Sequence, residues 1–361
     1  MQRKFPKPIK RVVVKLGSSV IATYKMKPRE AHLKSLVDQI CSLLGDVQVI
    51  LVSSGAIVLG LGELNRSKRS HELAGLQATA AIGQAVLMKM YYEFFKAQNK
   101  KCAQVLLTWD DFDNRTRYNN IRSTFLKLME WGVVPVINEN DTVSTDEIKF
   151  GDNDKLSAMV ACMVQADLLL ILSDVEGFYD TKGSEKKIFE EIKEITQEME
   201  GHAGGTDKSE ISQGGMSAKL NAIRMATQSK IPCVIANGES ENVLLRVLKG
   251  ERIGTYFLDQ EDKMLARQHW LAFSAKPKGA VTIDDGAKQA VLERGKSLLL
   301  PGIVSWDGHF KKDDVIIVKD KSGNEIGRGV SNYSVSELER IEDKKGKKEA
   351  IHCDKLVLSQ K

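Results

Sequence analysis

Two lysines beside glycine-rich turns are the residues of this sequence with the clearest chemical potential. Lys15 begins the segment KLGSS at 15–19, and Lys219 follows the pair Gly214-Gly215. Glycine lets backbone amides approach an anion, and a lysine adds a point charge. A helical pattern begins near Met216, so the amides and dipole of that helix would point to the same place. The combination suits a nucleotide phosphate, although each turn alone also fits a solvated lysine or an ordinary hinge.

A second polar turn, VSSGAI at 52–57, joins an apolar run to a helical pattern. Ser53, Ser54 and Gly55 bring hydroxyl groups and helix N-terminal amides to one point, where a carboxylate or a phosphate could bind. An ordinary serine N-cap would explain the same residues. The turn alone does not decide between the two readings.

The densest polar region comprises the turns INEND and GDND, whose polar residues lie within the 17 residues 138–154. Its members are Asn138, Glu139, Asn140, Asp141, Lys149, Asp152, Asn153 and Asp154. Carboxylate and amide oxygens suit the ammonium group of an amino acid, and an aspartate can also hold lysines in place. Turn and cap chemistry explains part of this set. A further polar turn, SDVEGFYD at 173–180, follows another apolar run.

Several familiar catalytic motifs are missing from the sequence. It contains no G-x-x-x-x-G-K-[ST] loop, no G-x-G-x-x-G loop, no H-E-x-x-H site and no G-x-S-x-G turn. Its six histidines are isolated from one another. Two lysines at glycine turns without an evident base favour phosphoryl transfer, in which positioning and charge neutralisation supply most of the catalysis.

Short apolar runs alternate with helical patterns and must position these turns. The runs are RVVVKLG, VQVILVSSG, CAQVLLT, VVPVIN, DLLLILSD and PCVIANG. Runs that are apolar throughout are typical of strands buried on both faces. Helical patterns fall between the first two runs and at about 71–99, 117–131, 153–166, 216–230 and 240–249. The order predicts an α/β fold, in which a mostly parallel open sheet lies between two layers of helices.

The sequence pattern changes near residue 277, after which short strands, turn glycines and one brief helix are predicted. We therefore expect an α/β domain over 1–273 and a small, mainly β domain over 277–361. The second domain has 16 basic and 14 acidic residues, and the whole chain has a net charge of +5. Neither value marks a dedicated nucleic-acid binder.

Composition and the N-terminal segment narrow the class of protein further. Five cysteines occur singly, which argues against a zinc site or a disulfide framework and predicts reduced, mostly buried thiols. The basic start of the chain has only a short apolar run, broken by Lys15, so neither a signal peptide nor a membrane span is expected. We expect a cytoplasmic protein with no membrane partner.

Taken in order, the segments VVVKLGSS, VSSGAI, VVPVINENDTV, EIKFGDND, LSDVEGFYD and GGMSAKL resemble the signature turns of the amino acid kinase superfamily, and within it the glutamate 5-kinase family. The resemblance covers roughly 9–360. Its C-terminal part, with GRGVSNYS, is similar to the PUA domain of many bacterial members. The resemblance implies the amino acid kinase fold followed by a PUA-like domain.

The resemblance also implies roles for individual residues. Ser54, Asp141 and Asn153 would contact L-glutamate. Lys15 and Lys219 would neutralise the transferring phosphoryl group, and Asp154 would orient both lysines. The residues that would hold ATP are Lys15, Ser173, Asp174, Gln213, Gly214, Gly215, Met216, Ser217, Ala218 and Lys219. Where the family has Gly-Thr-Gly-Gly-Met, this chain has Ser-Gln-Gly-Gly-Met at 212–216, which puts the contact made by Gln213 in question.

The implied reaction is the phosphorylation of the side-chain carboxylate of L-glutamate, the first step of proline biosynthesis. ATP would be the co-substrate, and Mg²⁺ would bridge its phosphates without a dedicated protein metal site. Proline would be a feedback inhibitor, and the chain would form a homodimer or a homotetramer. Alternatives are another amino acid kinase acting on aspartate, acetylglutamate or UMP, or an RNA-binding protein that acts through the PUA-like domain.

Overall fold

Every apolar run named above forms a strand in the computed structural model of the chain. The structure describes residues 2–143, 153–180, 187–196, 198–199, 215–259, 277–341 and 349–358. Contacts divide the chain into two compact units. The larger comprises Met1–Asp111 and Thr116–Lys263, and the smaller comprises Phe112–Arg115 and Met264–Lys361.

Eight strands of the larger unit form one sheet. The strands before residue 260 are β1 (Arg11–Leu16), β2 (Gln48–Ser53), β3 (Lys101–Leu107), β4 (Val133–Glu139), β5 (Leu168–Ser173), β6 (Tyr179–Asp180), β7 (Lys187–Ile188), β8 (Glu191–Ile192), β9 (Cys233–Asn237) and β10 (Thr255–Phe257). The order in the sheet is β3-β4-β2-β1-β5-β9-β10-β8. The first six strands of this order are parallel, and β10 runs antiparallel to β9. The prediction of a mostly parallel open sheet is confirmed.

Helices cover both faces of this sheet. Those before residue 260 are α1 (Ser18–Ile21), α2 (Glu30–Leu43), α3 (Ala56–Glu63), α4 (Leu73–Ala97), α5 (Trp109–Asp113), α6 (Arg115–Glu130), α7 (Asn153–Val164), α8 (Met216–Gln228) and α9 (Val243–Leu248). Alternate strand residues such as Val12, Val14 and Leu16 pack with the apolar faces of α2, α4 and α9 in one core. Helices α7 and α8 pack against each other, and α7 contacts β1 and β5.

Helices α3 and α4 approach each other unusually closely. A Cβ atom at Gly83 would overlap the carbonyl oxygen of Ala56, and one at Gly60 would overlap the carbonyl oxygen of Thr79. Only glycine allows backbones to come this near. The two helices therefore pack as one rigid pair, and α3 begins directly after the turn that contains Ser54.

The structure corrects three details of the sequence analysis. The run CAQVLLT forms β3 at the edge of the sheet, where most of its residues are only half-buried or exposed rather than covered on both faces. The short strands β8 and β10 were not predicted. All five cysteines are free, but only Cys41 and Cys233 are buried, so the prediction of mostly buried thiols is wrong.

The smaller unit has its own sheet and core. Its elements are β11 (Gly279–Ile283), α10 (Asp285–Arg294), β12 (Leu298–Leu299), β13 (Ile303–Gly308), β14 (Val315–Lys319), β15 (Glu325–Val330), α11 (Val335–Arg340), β16 (Glu349–Ile351) and β17 (Leu356–Leu358). Five strands pair in the order β13-β11-β14-β15-β17, and β12 pairs with β16. Two α-helices occur where the sequence predicted one, because Ser334 and Glu337 form a capping box that starts α11.

Within the described ranges, no helix combines the length and the apolarity that crossing a membrane would require.

Candidate active site

Four of the polar turns lie side by side at one edge of the large sheet. They follow β4, β2, β1 and β5, which are neighbours in this order and run parallel. The carboxyl ends of parallel strands meet at one edge, and ligands of open α/β sheets bind there. The sheet order therefore brings together turns that are up to 157 residues apart in sequence, between the end of β1 at Leu16 and the end of β5 at Ser173.

The centre of the site is a buried carboxylate held by two lysines. The Nζ atom of Lys15 lies 2.5 Å from Oδ1 of Asp154, and the Nζ atom of Lys219 lies 3.3 Å from Oδ2. Asp154 is 1% exposed, and each lysine is 6% exposed. Three elements supply these side chains, since Lys15 lies in β1, Asp154 in the first turn of α7 and Lys219 in the first turn of α8. The structure thus brings together all three predicted catalytic residues.

The electrostatics of this cluster favour an anion nearby. Burial alone would raise the pKa of Asp154, but the charges and hydrogen bonds of Lys15 and Lys219 outweigh it and hold that pKa below its usual value. The carboxylate is therefore ionised at neutral pH. Two ammonium groups and one carboxylate leave the cluster with one net positive charge, which can attract a phosphate group.

Uncharged hydrogen bonds organise the neighbouring part of the site. The Nδ2 group of Asn153 donates to Oγ of Ser54 at 3.0 Å and to Oδ1 of Asn138 at 3.0 Å. The amide of Asn138 in turn donates to Oε1 of Gln84 at 2.8 Å. This chain of contacts, which we call the amide relay, connects α4, β4, α7 and the turn after β2. It fixes the orientation of Asn153, whose Oδ1 atom is buried and has no hydrogen-bond partner among the described residues.

The turn that carries Ser54 depends on a glycine. Gly55 has φ +101° and caps the start of α3, in a conformation that other residues rarely adopt. A Cβ at this position would also lie 2.9 Å from a side-chain carbon of Ile21. Beneath the turn, Oγ of Ser53 and the hydroxyl of Tyr91 are 2.8 Å apart. The position of Ser54 is therefore set by the backbone and by α4.

A cleft opens beside the amide relay and contains both charged and uncharged groups. It is lined by Ser18, Ser54, Gly55, Ala56, Ile57, Val58, Arg69, Asn138, Glu139, Asp141 and Asn153. All three predicted glutamate-binding residues are in this lining. Burial raises the pKa of Asp141 to about 6, and the nearby guanidinium of Arg69 only partly offsets that effect. The cleft can therefore bind a small polar molecule that carries both charges.

Apart from Lys15 in β1, the described residues predicted to hold ATP lie at two places. Ser173 ends β5, and its Oγ donates to Oδ1 of Asp174 at 2.9 Å. Gly215 is the N-cap of α8, whose first residues are Met216, Ser217 and Ala218, followed by Lys219. Lys219 is the residue that links this group to the buried carboxylate. Gln213 and Gly214 lie outside the described residues, so their predicted contacts stay predictions.

Over the described part of the chain, no three His, Cys, Asp or Glu side chains form a group that could hold a metal ion. Both oxygens of Asp154 already face lysines.

Sequence reasoning missed two residues of the site. Gln84 lies within α4, where a lone glutamine has no distinguishing signal in a single sequence. Arg69 lies in a polar connection between α3 and α4, where a basic residue is ordinary. Only the structure shows that one supports Asn138 and that the other lines the cleft.

Comparison with known proteins agrees with this architecture. Residues 10–237 match the amino acid kinase family, and residues 279–352 match the PUA domain. A protein of Caldanaerobacter subterraneus subsp. tengcongensis named glutamate 5-kinase is 42% identical over 97% of this chain and 98% of its own length. Proteins of the same name from Dictyoglomus thermophilum and Syntrophotalea carbinolica are 43% and 41% identical, over 97% and 100% of this chain and of their own lengths.

A solved structure titled as the UMP kinase of Bacillus anthracis covers 70% of this chain and 98% of its own, at 16% identity and a TM-score of 0.47. The family match spans more than half of the chain, and the relatives align along nearly all of it at about 42% identity. On these grounds, together with the parallel sheet and the turns at its edge, the chain belongs to the amino acid kinase family.

Proposed function

We propose that this chain is a glutamate 5-kinase, which transfers the γ-phosphoryl group of ATP to the side-chain carboxylate of L-glutamate. A carboxylate oxygen of glutamate forms a bond to the γ-phosphorus, and the bond from that phosphorus to the β,γ-bridging oxygen breaks. The products are ADP and L-glutamyl 5-phosphate. The curated relatives that align along nearly the whole chain carry this name.

The observation that carries the proposal is the buried cluster of Lys15, Asp154 and Lys219 beside a cleft for a small polar molecule. Glutamate needs no general base, because its side chain is already ionised at neutral pH. The reference pKa of that side chain is about 4.3. The barrier is instead the repulsion between two anions. Two fixed lysines lower that barrier, because preorganised charge is most effective in a buried site.

Within the cleft, Ser54, Asp141 and Asn153 are proposed to bind the acceptor. Asp141 suits the α-ammonium group, since a carboxylate is an acceptor of charge-assisted hydrogen bonds. Asn153 is held by the amide relay and offers its Oδ1 atom as a further acceptor. Asp154 is proposed to position the two lysines rather than to contact glutamate.

ATP is proposed to bind at Ser173, Asp174 and the segment 213–219, with Lys15 and Lys219 facing its terminal phosphate. Exposed amides at the start of α8 and the helix dipole favour a phosphate at that point. Mg²⁺ is proposed to arrive with the nucleotide, since this ion is commonly held by substrate phosphates and water.

The resemblance carries three further proposals about partners and location. Proline is proposed to inhibit the enzyme near the glutamate site, and the chain is proposed to act as a cytoplasmic homo-oligomer. The PUA domain is proposed to contribute little RNA affinity, because its net charge of +2 gives few phosphate contacts.

An acceptor panel tests the proposed function. ADP formation is measured with L-glutamate, L-aspartate, N-acetyl-L-glutamate and UMP, with and without proline. Hydroxylamine is added to trap an acyl phosphate as its hydroxamate. We expect ADP and hydroxamate in equal amounts with glutamate alone. Turnover of another acceptor in preference to glutamate would assign the chain to a different activity within the family.

A further inference from the structure

One cation lines the cleft among the residues that the structure describes. The cleft's charged members are Arg69, Glu139 and Asp141, and Arg69 alone carries a positive charge. Lys15 and Lys219 do not belong to this lining. A ligand anion inside the cleft therefore meets the guanidinium of Arg69, whereas the phosphoryl end of the site is served by the two lysines.

Arg69 and Asp141 form an electrostatically coupled pair. Burial lowers the pKa of Arg69, and the charge of Asp141 raises it in part. In the same way, burial raises the pKa of Asp141, and the charge of Arg69 lowers it in part. Both side chains are half-buried. Opposite charges thus line the same partly buried cleft.

The remaining cleft residues supply acceptors and hydroxyl groups. Oδ1 of Asn153 is buried and has no hydrogen-bond partner within the described ranges, and Ser54 accepts from the amide of the same asparagine. An ammonium group requires several acceptors around it. A guanidinium presents a planar fork that matches the two oxygens of a carboxylate. The cleft therefore contains complementary groups for both ends of an amino acid zwitterion.

We propose that Arg69 binds the α-carboxylate of the acceptor amino acid, while Asp141 binds its α-ammonium group. Arg69 is then a specificity-determining residue, which rejects acceptors that lack a free α-carboxylate. The inference rests on the proposed function and extends it. Arg69 and Asp141 have opposite charges, and the zwitterion supplies each of them with a further partner of opposite charge.

A purely supporting role for Arg69 makes a different prediction. If Arg69 only holds Asp141 in place, its loss weakens the binding of every acceptor that has an α-ammonium group by the same factor. If Arg69 contacts the α-carboxylate, its loss weakens only acceptors that have this carboxylate. The α-amide of L-glutamate separates the two cases, because it keeps the ammonium group, the side-chain carboxylate and nearly the same size.

The experiment compares wild type with Arg69→Gln, using L-glutamate and its α-amide as acceptors. We expect wild type to favour glutamate by about 10²-fold in kcat/KM, the order of effect seen when one member of a buried charge pair is lost. In Arg69→Gln, kcat/KM should fall by about 10²-fold for glutamate and change by less than about threefold for the α-amide. The matched control is Arg66→Gln, since Arg66 is exposed and does not line this cleft.

Arg69→Lys keeps the charge without the planar fork and should lose about 10-fold on glutamate, which provides a folded variant if Arg69→Gln does not fold. Equal losses on both acceptors, or an unchanged preference for glutamate, would overturn the inference.

Glutamate binding without turnover is followed by the thermal shift that it causes, which should be present in wild type and Arg66→Gln and absent in Arg69→Gln. Binding through Arg69 without ADP formation would overturn the proposed function and leave this inference standing. No thermal shift and no turnover in wild type would overturn both.

Discussion

Two neighbouring residues at the start of α7 serve two regions built on different principles. Asp154 joins Lys15 and Lys219 in a buried cluster of three charges. Asn153 joins Ser54 and Asn138 in the uncharged amide relay. A net charge suits a step in which negative charge develops, whereas directional hydrogen bonds suit the recognition of a fixed shape. Under the proposed function, the start of α7 therefore separates the residues for phosphoryl transfer from those for acceptor binding.

The strongest test of the charged region is Asp154→Asn. The substitution removes the carboxylate that both buried lysines contact, and removing one partner of a buried ion pair costs about 3–5 kcal/mol of unfolding free energy. The change in unfolding free energy is measured by urea denaturation. The control is Asp38→Asn, whose exposed pair with Lys34 should contribute less than about 1 kcal/mol. Equal effects of the two substitutions would show that the buried cluster is not the stronger structural element.

The comparison of wild type with Asp154→Asn also gives a prediction about pH. The pKa of Asp154 is lowered in the folded state, so its stabilisation is fully present above the unfolded value, about 3.9. It is lost as the pH falls through the lower, folded value. The stability difference between wild type and Asp154→Asn should therefore stay constant from neutral pH down to about 5 and shrink only below about 4. A difference that disappears between pH 5 and 7 would contradict this assignment.

Lys219→Ala sharpens the comparison from the catalytic side. The variant should lose about 10²-fold or more in kcat with little change in the KM for glutamate, because the charge acts mainly while the phosphoryl group transfers. Steady-state kinetics measure both constants. Lys89→Ala removes an exposed helical lysine and should match wild type. A raised KM with normal kcat would move Lys219 from catalysis to acceptor binding.

Asp141→Asn tests the acceptor side and should raise the KM for glutamate by about 10-fold with little change in kcat, because the α-ammonium group does not change during the reaction. The wild-type KM should also rise as the pH falls below about 6, where Asp141 takes up a proton. The KM of the variant should stay high and lack this dependence. Normal glutamate KM alongside weakened ATP binding would place Asp141 on the other substrate.

Gln84→Ala probes the far end of the amide relay. Losing one uncharged hydrogen bond to Asn138 costs about 1 kcal/mol, which corresponds to a rise of about fivefold in the KM for glutamate. Gln98→Ala is the matched control, since Gln98 donates to an exposed carboxylate of Asp38. An effect as large as that of Lys219→Ala would show that the two regions are not separate.

The smallest expected effect is that of removing the PUA domain. Every residue assigned to either region precedes residue 220, and we propose that the kinase domain ends by residue 273. A chain that ends at Lys276 should keep kcat and KM within about threefold, by comparison with surface changes far from a site. Loss of glutamate-dependent ADP formation in a cooperatively melting truncated protein would show that the PUA domain helps to form the site.

The sequence predicted the strands of the sheet centre because their cores are apolar on both faces. It did not predict β8, at the edge of the sheet, and β10 beside it, since strands of two or three residues have little hydrophobic pattern. Lys15 and Lys219 could be chosen because each lies beside a glycine-rich turn that suits an anion, and Asp154 because it lies in the densest polar region of the sequence. Their convergence on one carboxylate depends on strand order, which no local pattern contains.

Arg69 and Gln84 show why the rest of the site could not be predicted. Both reach the site through the placement of whole elements, Gln84 from within a long helix and Arg69 from the connection before it. A charged residue in a polar loop and a glutamine on a helix are usually solvated. Only the tertiary structure gives either of them a partner.

The glycine contact between α3 and α4 constrains how this enzyme can diverge. Any side chain at Gly60 or Gly83 would push the helices apart and displace the turn at Ser54, which directly precedes α3. Selection for a new acceptor can therefore act on residues that line the cleft, such as Arg69. The two glycines of the helix contact cannot be replaced without moving the helices apart. We expect variation among descendants of this sequence to accumulate around the acceptor and to spare these two positions.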